Sequence, residues 1–393
     1  MPDLKKFLSV LGPDLIALRR DIHRHPELGY REERTASLVE GLLSGLPGLS
    51  VARLTGTGVV GVLGGAGEGP TLLLRADLDA LPLAEESGES FASETPGVMH
   101  ACGHDGHTAI LVFAARALAA LRDRWAGTVK LVFQPNEEEV GALAMIEAGV
   151  LEDPAVSAAA ALHLWAPLPL GRISVAEGVS WAGMDHFRIR VTGVGGHTAS
   201  PHLARDPILA AAHIVVGAQI LQSRGLDPLL ASSLVFGRVQ GGQAANVIPE
   251  SAELEGTLRY LFDGGGDGPG RPRARLRELA GDLARAYGTS AEVDFYCSQP
   301  PLSNDPAMAA LGRQAAIETA GPGSPATFLN MGGEDFSEFS ARVPSVMAMI
   351  GAGSPESGAV HPHHSPKFRL DERSLPLGLE WLVRLALAYL RAR

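Results

Sequence analysis

The chain has 393 residues, of which 46% are hydrophobic and 20% are charged, and its formal net charge is -11. A chain of this length exceeds what one hydrophobic core usually supports, so two domains are expected, and the apolar content excludes global disorder. An acidic surface repels phosphate backbones and anionic lipids, which argues against nucleic acid and membrane partners.

Two cysteines, Cys102 and Cys297, are too few for a disulfide framework and fit a reducing compartment. Residues 1–20 are amphipathic and contain Pro13, which is not the pattern of a signal peptide. No run of about 18 apolar residues predicts a membrane span. We therefore expect a cytoplasmic protein in which Cys297 is a small buried residue.

The first part of the chain alternates helices and strands. Helical periodicity covers residues 4–24, 35–46 and 107–121, and short apolar runs at 59–63, 71–74, 129–133 and 158–164 predict buried strands. This alternation predicts an α/β fold with a mostly parallel sheet flanked by helices. Functional residues of such folds lie beyond the carboxyl ends of the strands.

The pattern changes near residue 182. Strands are predicted at 186–191, 232–239, 252–260 and 291–296, with helices at 207–221 and 273–287. The order β-α-β-β-α-β is that of a small α+β, four-stranded, ferredoxin-like domain. The earlier pattern returns after residue 298 and ends in a helix at 375–392. We therefore predict a discontinuous domain of residues 1–181 and 298–393 with residues 182–297 inserted in it.

Potential metal ligands are concentrated in residues 99–107. The segment contains His100, Cys102, His104, Asp105 and His107. Thiolate and imidazole ligands suit zinc, cobalt, nickel or manganese, whereas Asp105 is equally able to cap the following helix. A His-rich surface loop with a buried cysteine is the alternative interpretation.

Three further segments carry similar chemistry. Glu137, Glu138 and Glu139 follow the strand that ends at Pro135, where one carboxylate can bind metal while its neighbour takes a proton. His163 lies inside an apolar run, where a histidine is more often a core residue. The last segment is a histidine cluster at residues 361–364. Taken together, the four segments favour a metal site.

The segments occur in a recognisable order. They are Arg-Ala-Asp-Leu-Asp-Ala-Leu-Pro at 75–82, the metal segment at 99–107, Gln-Pro-Asn-Glu-Glu at 134–138, Gly-Gly-His at 195–197, Asn-Val-Ile-Pro at 246–249 and His-Ser-Pro-Lys-Phe at 364–368. This set resembles the hippurate hydrolase, aminoacylase and indole-acetyl-amino-acid hydrolase branch of the dinuclear zinc peptidases. The resemblance covers nearly the whole chain.

The resemblance implies five ligands for two divalent metal ions, which would be Mn²⁺, Zn²⁺, Co²⁺ or Ni²⁺. Matched residue by residue, the ligands are Cys102, His104, Glu138, His163 and His364. Glu137 takes the position of the general base. In relatives, the inserted domain is a lid that also forms the dimer contact.

Residues of the inserted domain take further implied roles. His197 matches the histidine that stabilises the oxyanion, in its own subunit or in a partner's. Asn246 and Arg259 match lid positions that hold the substrate carboxylate or carbonyl, although a surface charge is an equal interpretation of Arg259.

The chain departs from the wider superfamily in one metal motif, and two further residue assignments are ambiguous. The His-x-Asp metal motif is replaced by Arg-Ala-Asp at 75–77, so His104 is expected to replace the missing imidazole, and Asp77 either orients a ligand or is an ordinary strand-end residue. Counting from residue 145 instead of from the strand would move the base to Asn136, which cannot accept a proton. His361 and His363 compete with His364, which the spacing to Pro366 favours.

The implied reaction is hydrolysis of the amide bond of N-acyl L-amino acids, with acetyl, benzoyl or similar acyl groups. The implied partners are the small-molecule substrate and a second copy of the chain, as a homodimer or homotetramer. The alternatives are a dipeptidase or carboxypeptidase with the same metals, a non-catalytic binding homologue, and a structural zinc protein.

Overall fold

The computed structural model describes residues 2–391, so Met1, Ala392 and Arg393 lie outside the described residues. The helices are α1 (Pro2–Ser9), α2 (Gly12–Arg24), α3 (Glu33–Ser44), α4 (His104–Ala120), α5 (Ala142–Glu147), α6 (Pro207–Gly217), α7 (Pro272–Ala286), α8 (Pro306–Ala320), α9 (Ser337–Ser340) and α10 (Ser374–Tyr389). None of the helices within these residues combines the length and apolar character needed to cross a bilayer.

The strands follow the same chain order. They are β1 (Leu49–Leu54), β2 (Gly58–Gly64), β3 (Thr71–Asp77), β4 (Thr128–Gln134), β5 (Ala158–Pro169), β6 (Ile173–Ser174), β7 (Gly178–Trp181), β8 (Gly183–Thr192), β9 (Gly196–His197), β10 (Ser232–Gly241), β11 (Val247–Ile248), β12 (Ser251–Tyr260), β13 (Ser290–Gln299), β14 (Leu302–Asn304), β15 (Pro325–Ala326) and β16 (Ser345–Gly353).

Internal contacts divide the chain into two compact units. The larger unit comprises Met1–Gly178, Ser303–Phe328 and Glu338–Arg393, and the smaller comprises Val179–Leu302 and Leu329–Ser337. The predicted boundaries lay after residues 181 and 297, and the prediction did not place residues 329–337 with the smaller unit. Backbone hydrogen bonds of Asn330 with Ser180 and Ala182, both 2.9 Å, hold that segment.

The larger unit is built on a sheet with the strand order β1-β2-β4-β3-β5-β16-β6-β15. Strands β4, β3, β5 and β16 run parallel to one another. Strand β2 pairs antiparallel with both β1 and β4, and β6 pairs antiparallel with β16. The prediction of a mostly parallel sheet is therefore confirmed. It missed β1, whose side chains are only half-buried and whose apolar pattern is correspondingly weak.

Helix α4 packs closely on the sheet because apolar residues, many of them small, occupy nearly all of its faces. Most of its residues are buried, and a Cβ at Gly106 would collide with the side chain of Leu164 in β5. This close approach brings the first turn of α4 beside His163. The predicted first helix is two helices, because Gly12 and Pro13 begin a new one, α2.

The smaller unit has a four-stranded antiparallel sheet in the order β10-β12-β8-β13. Helices α6 and α7 each bury some of their apolar side chains in a core shared with this sheet, as the ferredoxin-like prediction requires. Cys297 is exposed, so its predicted burial is wrong. The cause is a bulge between Phe295 and Cys297, which interrupts the alternation of β13.

Candidate metal centre

Neighbouring strand ends bring the predicted ligands together in the larger unit. Glu137 and Glu138 follow β4, His163 lies in β5, and Cys102 precedes α4. Because β4, β3 and β5 are adjacent and parallel, their carboxyl ends lie side by side. Between Cys102 and the helix, Gly103 adopts φ 93°, a left-handed conformation that favours glycine.

Short distances between donor atoms join the predicted ligands into one cluster. Cys102 Sγ lies 3.5 Å from His163 Nε2, and Glu138 Oε1 lies 3.2 Å from His364 Nε2. A ligand atom of Cys102, one of Glu138 and one of His364 all lie within 4.8 Å of one another. Four of the five predicted ligands therefore share one site.

The fifth ligand, His104, reaches the same cluster through the glutamate pair. His104 Nε2 lies 3.8 Å from Glu137 Oε2, and ligand atoms of His104, Glu137 and Glu138 all lie within 4.8 Å of one another. Glu138 belongs to both groups of three, so it links His104 and Glu137 to Cys102 and His364 in one site.

Hydrogen bonds fix the orientation of the imidazoles. His104 Nδ1 donates to the carbonyl oxygen of Asp79 at 2.9 Å, and His163 Nδ1 donates to the carbonyl oxygen of Leu164 at 2.8 Å. Each ring therefore directs the lone pair of Nε2 at the cluster. His104 Nε2 is buried without a hydrogen-bond partner, which is the state expected of a nitrogen that binds metal.

The thiol of Cys102 also fits a cation. Burial raises the pKa of this thiol well above its ordinary value, so the protein surroundings alone keep it protonated. A metal ion at the cluster would reverse that preference, since a coordinating thiol is deprotonated. The set of thiolate, imidazole and carboxylate donors suits a borderline-soft divalent ion.

His364 and His363 differ in what their rings contact. His364 adopts φ 62° and directs Nε2 at Glu138. His363 Nε2 accepts the backbone N–H of Ala166 at 3.1 Å, and its ring stacks on Trp165 with centroids 4.2 Å apart. Burial lowers the pKa of His363 to about 3. Ligand atoms of Cys102, His163 and His363 also lie within 4.8 Å of one another, and His363 Nδ1 is buried without a hydrogen-bond partner, so both histidines lie within reach of the cluster.

Asp77 contacts His107 more closely than His104. Asp77 Oδ1 accepts a hydrogen bond from His107 Nδ1 at 2.7 Å, while 3.9 Å separates it from His104 Nδ1. His107 Nε2 accepts the backbone N–H of Leu164 at 2.9 Å, so both nitrogens of His107 are used. Burial favours the neutral form of His104, yet Asp77 and Cys102 outweigh it and raise its pKa.

Sequence reasoning missed the role of Asp79, which is nearly inaccessible. Its carboxylate accepts the backbone N–H of Glu137 at 2.9 Å and that of Glu138 at 3.1 Å. Its carbonyl oxygen accepts the His104 hydrogen bond described above. Asp79 therefore orients three residues of the cluster, and its position just after β3 was the available signal.

A buried ionic network at the start of α4 was also missed. Asp105 Oδ2 lies 2.7 Å from Arg19 Nε and 2.7 Å from His23 Nδ1. His23 Nε2 contacts Glu85 Oε1 at 3.2 Å. Burial would raise the pKa of Asp105, but Arg19 and His23 hold it far below its ordinary value. Asp105 thus anchors α4 to α2 and makes no helix-capping hydrogen bond.

The remaining predicted residues lie in the smaller unit. His197 and Asn246 are exposed and line a cavity of about 1040 Å³, whose lining does not include Arg259. His197 Nδ1 accepts the backbone N–H of Ala199 at 3.0 Å, which leaves the ring proton on Nε2. Arg259 is half-buried and donates from Nη1 to the carbonyl oxygen of Met331 at 2.9 Å.

Comparison with known proteins identifies the family of the chain that carries this cluster. The model of peptidase family M20/M25/M40 matches residues 73–388. The chain belongs to this peptidase family. The matched range contains every predicted ligand and the predicted base.

Similar proteins include members with different named activities. The chain is 36% identical to an N-acetylcysteine deacetylase of Bacillus subtilis, covering 96% of this chain and 97% of that protein. It is 36% identical to the IAA-amino acid hydrolase ILR1-like 5 of Arabidopsis thaliana, covering 98% and 90%. It is also 36% identical to thermostable carboxypeptidase 2 of Saccharolobus solfataricus, covering 95% of each.

Solved structures share the whole fold. A dinuclear metal-binding peptidase of the M20 family from Bacillus subtilis has a TM-score of 0.86 and 33% identity, covering 97% of this chain and 99% of that chain. A putative aminohydrolase from methicillin-resistant Staphylococcus aureus has a TM-score of 0.92 and 33% identity, covering 99% of each. The chain is therefore a member of a family of hydrolases.

His100, beside the cluster, should make the stability of this family member depend on pH. Burial lowers its pKa to about 4, so below pH 6.5 the unfolded state binds the proton more readily than the folded state does. Stability should therefore fall as the pH falls, and this histidine should contribute about 2 kcal/mol of that loss between pH 7 and pH 5. Urea unfolding of wild type and His100→Phe at both pH values measures the difference. An equally steep pH dependence in the variant would contradict the assignment.

Proposed function

We propose that the protein is a metal-dependent amidohydrolase that cleaves the amide bond of N-acyl L-amino acids. One observation carries the proposal: Cys102, His104, Glu138, His163 and His364 converge beside a further carboxylate, Glu137. Two of the relatives described above are named for removing an acyl group from an amino acid or for hydrolysing an amino acid conjugate. The products would be a carboxylic acid and the free amino acid.

The five ligands would hold two divalent metal ions, of which Mn²⁺, Zn²⁺, Co²⁺ and Ni²⁺ suit the donor set. When bound, such ions polarise a carbonyl oxygen and lower the pKa of water towards neutrality. Two observations fit such ions: Nε2 of His104 is buried without a hydrogen-bond partner, and the buried Sγ of Cys102 lies 3.5 Å from Nε2 of His163.

Glu137 would move the protons. Its backbone N–H is held by Asp79 at 2.9 Å, and its carboxylate lies beside the ligands without being needed as one. In this position, Glu137 can accept a proton from the attacking water and deliver it to the nitrogen of the leaving amino acid. General acid–base transfer of this kind contributes on the order of 10²–10⁴-fold to a rate.

Residues of the smaller unit would contact the substrate. His197 carries its ring proton on Nε2, so it can donate to an oxyanion in its own subunit or in a partner's. Asn246 and Arg259 would bind the carboxylate or carbonyl of the substrate. Arg259 keeps further N–H donors beyond the one that bonds to Met331.

The main rival is a dipeptidase or carboxypeptidase with the same metal site, which the similarity to a carboxypeptidase of Saccharolobus solfataricus supports. A non-catalytic homologue and a closed structural zinc site are less consistent with a carboxylate base beside the ligands. Neither the non-catalytic homologue nor the structural zinc site would need a general base.

We also propose that the protein is a homodimer or a homotetramer. We propose that it is located in the cytoplasm. Helix α6 exposes apolar side chains, including Ile208 at 43%, Leu209 at 49% and Val216 at 73%. Exposed apolar groups clustered on one helix are typical of subunit contacts. A reducing compartment fits the free thiols of both cysteines.

Replacing Glu137 by Gln should lower kcat by about 10²–10⁴-fold and leave the metal content unchanged, because the base is lost while the ligands stay. Glu139→Gln, at the exposed end of the same turn, is the matched control and should keep wild-type kcat. Metal content is measured by atomic absorption. Loss of metal from Glu137→Gln would instead assign Glu137 as a ligand, and wild-type turnover would exclude it as the base.

The substrate class is tested with a panel of N-acetyl, N-benzoyl and indole-acetyl amino acids against free dipeptides. The panel includes N-benzoylglycine and is repeated with Mn²⁺, Zn²⁺, Co²⁺ and Ni²⁺ added to chelated protein. We expect no turnover after chelation, recovery with metal, and higher kcat/KM for the N-acyl compounds. Faster cleavage of dipeptides would favour the rival, and full activity of the stripped protein would exclude a metal mechanism.

Sedimentation equilibrium tests the assembly. A dimer of the 41.1 kDa chain has twice that mass, and Val216→Glu should shift it to the monomer, because a buried charge without a partner destabilises an interface. A monomeric wild type at micromolar concentration would contradict the proposal.

A further inference from the structure

The turn that carries the glutamate pair has a strained backbone. Residues Glu137–Glu139 form one 3₁₀ turn between Asn136, at φ 56°, and Val140, at φ 64°. A β-branched residue such as valine rarely adopts a left-handed conformation. Strained backbone persists only where its surroundings hold it in place, so the contacts of this turn decide where the two carboxylates point.

Buried carboxylates bind three consecutive N–H groups of this turn. Asp79 accepts those of Glu137 and Glu138, as described above. The third belongs to Asn136, and Glu32 Oε1 accepts it at 3.0 Å. Glu32 is fully buried, and its other oxygen accepts the hydroxyl of Thr57 at 2.6 Å. Its carboxylate is thus committed to the turn and to the loop between β1 and β2.

Asn136 is held from other directions as well. A Cβ at Gly29 would overlap the side-chain oxygen of Asn136, so the two residues are in close contact. The carbonyl oxygen of Asn136 accepts the N–H of Gly141 at 2.7 Å, and its side-chain amide donates to the carbonyl oxygen of Glu139 at 3.3 Å. A shift of Asn136 would therefore move the whole turn.

We propose that Glu32 is a positioning residue for the metal centre, which fixes the direction of Glu137 and Glu138 through the backbone of Asn136. The inference rests on the proposed function, since it assumes that Glu137 is the base and Glu138 a ligand. Glu32 belongs to none of the groups of potential metal ligands in the described residues. Its influence on Glu137 and Glu138 is therefore indirect, through the hydrogen bond to the backbone of Asn136.

The test compares Glu32→Ala with Glu32→Gln. The alanine removes the acceptor of the Asn136 N–H, whereas the glutamine keeps an oxygen at the same distance from the backbone. We expect Glu32→Ala to lower kcat by about 100-fold with KM within about threefold of wild type, because a misplaced catalytic group costs rate more than binding. Glu32→Gln should restore kcat to within about fivefold of wild type.

Two matched controls separate positioning from stability. Thr57→Val removes the other hydrogen bond of Glu32 without touching the turn. Glu27→Ala removes a carboxylate of the same segment that accepts the backbone N–H groups of Arg34 and Thr35, at 2.9 and 2.8 Å. Both controls should lower the melting temperature and keep wild-type kcat at temperatures where the protein is folded.

A second readout does not depend on turnover. Cobalt binding, followed by its visible absorption, should be weakened about 10-fold or more in Glu32→Ala, because Glu138 shares the turn and changes that reorient ligands typically cost 10–100-fold in metal affinity. Glu32→Gln should bind cobalt like the wild type. If Glu32→Ala does not fold, Glu32→Met fills the same volume without an acceptor and carries the same expectations.

The outcomes distinguish the two proposals. A folded Glu32→Ala or Glu32→Met with wild-type kcat and wild-type cobalt affinity overturns the positioning role. Loss of kcat to the same extent in Thr57→Val and Glu27→Ala overturns it as well. A wild type that hydrolyses neither N-acyl amino acids nor dipeptides refutes the proposed function, and the cobalt measurement then decides on the positioning role by itself.

Discussion

The hydrogen bonds of Asp79 are the interaction on which the metal centre depends. They join two segments that are far apart in the chain, the start of α4 and the turn after β4. The carbonyl group fixes the ring of His104, and the carboxylate fixes the backbone of Glu137 and Glu138. Because Asp79 bonds to both segments, it fixes the position of the His104 imidazole relative to the backbone that carries the two glutamates.

Burial strengthens these hydrogen bonds, but removing the polar groups from water also costs free energy. A buried imidazole or carboxylate without a partner loses its hydration and gains nothing in return. His104 and His163 meet this cost by donating from Nδ1 to a backbone carbonyl oxygen, of Asp79 and Leu164 respectively. The second nitrogen of each ring is then directed at a common point. His107 shows the contrast, since its Nδ1 bonds to Asp77 and its Nε2 to the backbone N–H of Leu164, so both nitrogens are used within the protein.

Much of this arrangement could be predicted from the sequence, because short-range patterns specify it. The apolar runs at 71–74 and 129–133 predict two buried strands, and the carboxyl ends of parallel strands lie side by side. The spacing of Cys102 and His104 marks one ligand segment. These features are local, so residue type and spacing were sufficient to predict them.

Other features depend on pairings that no local pattern records. The contact of Glu32 with Asn136 joins residues 104 positions apart, and both look like ordinary loop residues in the sequence. The bulge in β13 that exposes Cys297 changes the alternation by one position, which periodicity alone does not reveal. The spacing to Pro366 favours His364 over His363, but it does not record that ligand atoms of both histidines lie close to Cys102. Asp79 is visible in the sequence as a second aspartate, two residues after Asp77. The sequence does not show which groups donate hydrogen bonds to it.

The short segment Leu329–Ser337 affects how the protein can be divided. It belongs with the smaller unit although the chain on either side of it belongs with the larger one. Replacing Val179–Leu302 by a linker would therefore leave the backbone N–H and carbonyl groups of Asn330 without their partners in Ser180 and Ala182. A minimal version of the larger unit needs a second excision at residues 329–337, and a transplanted smaller unit needs that peptide supplied as a separate graft.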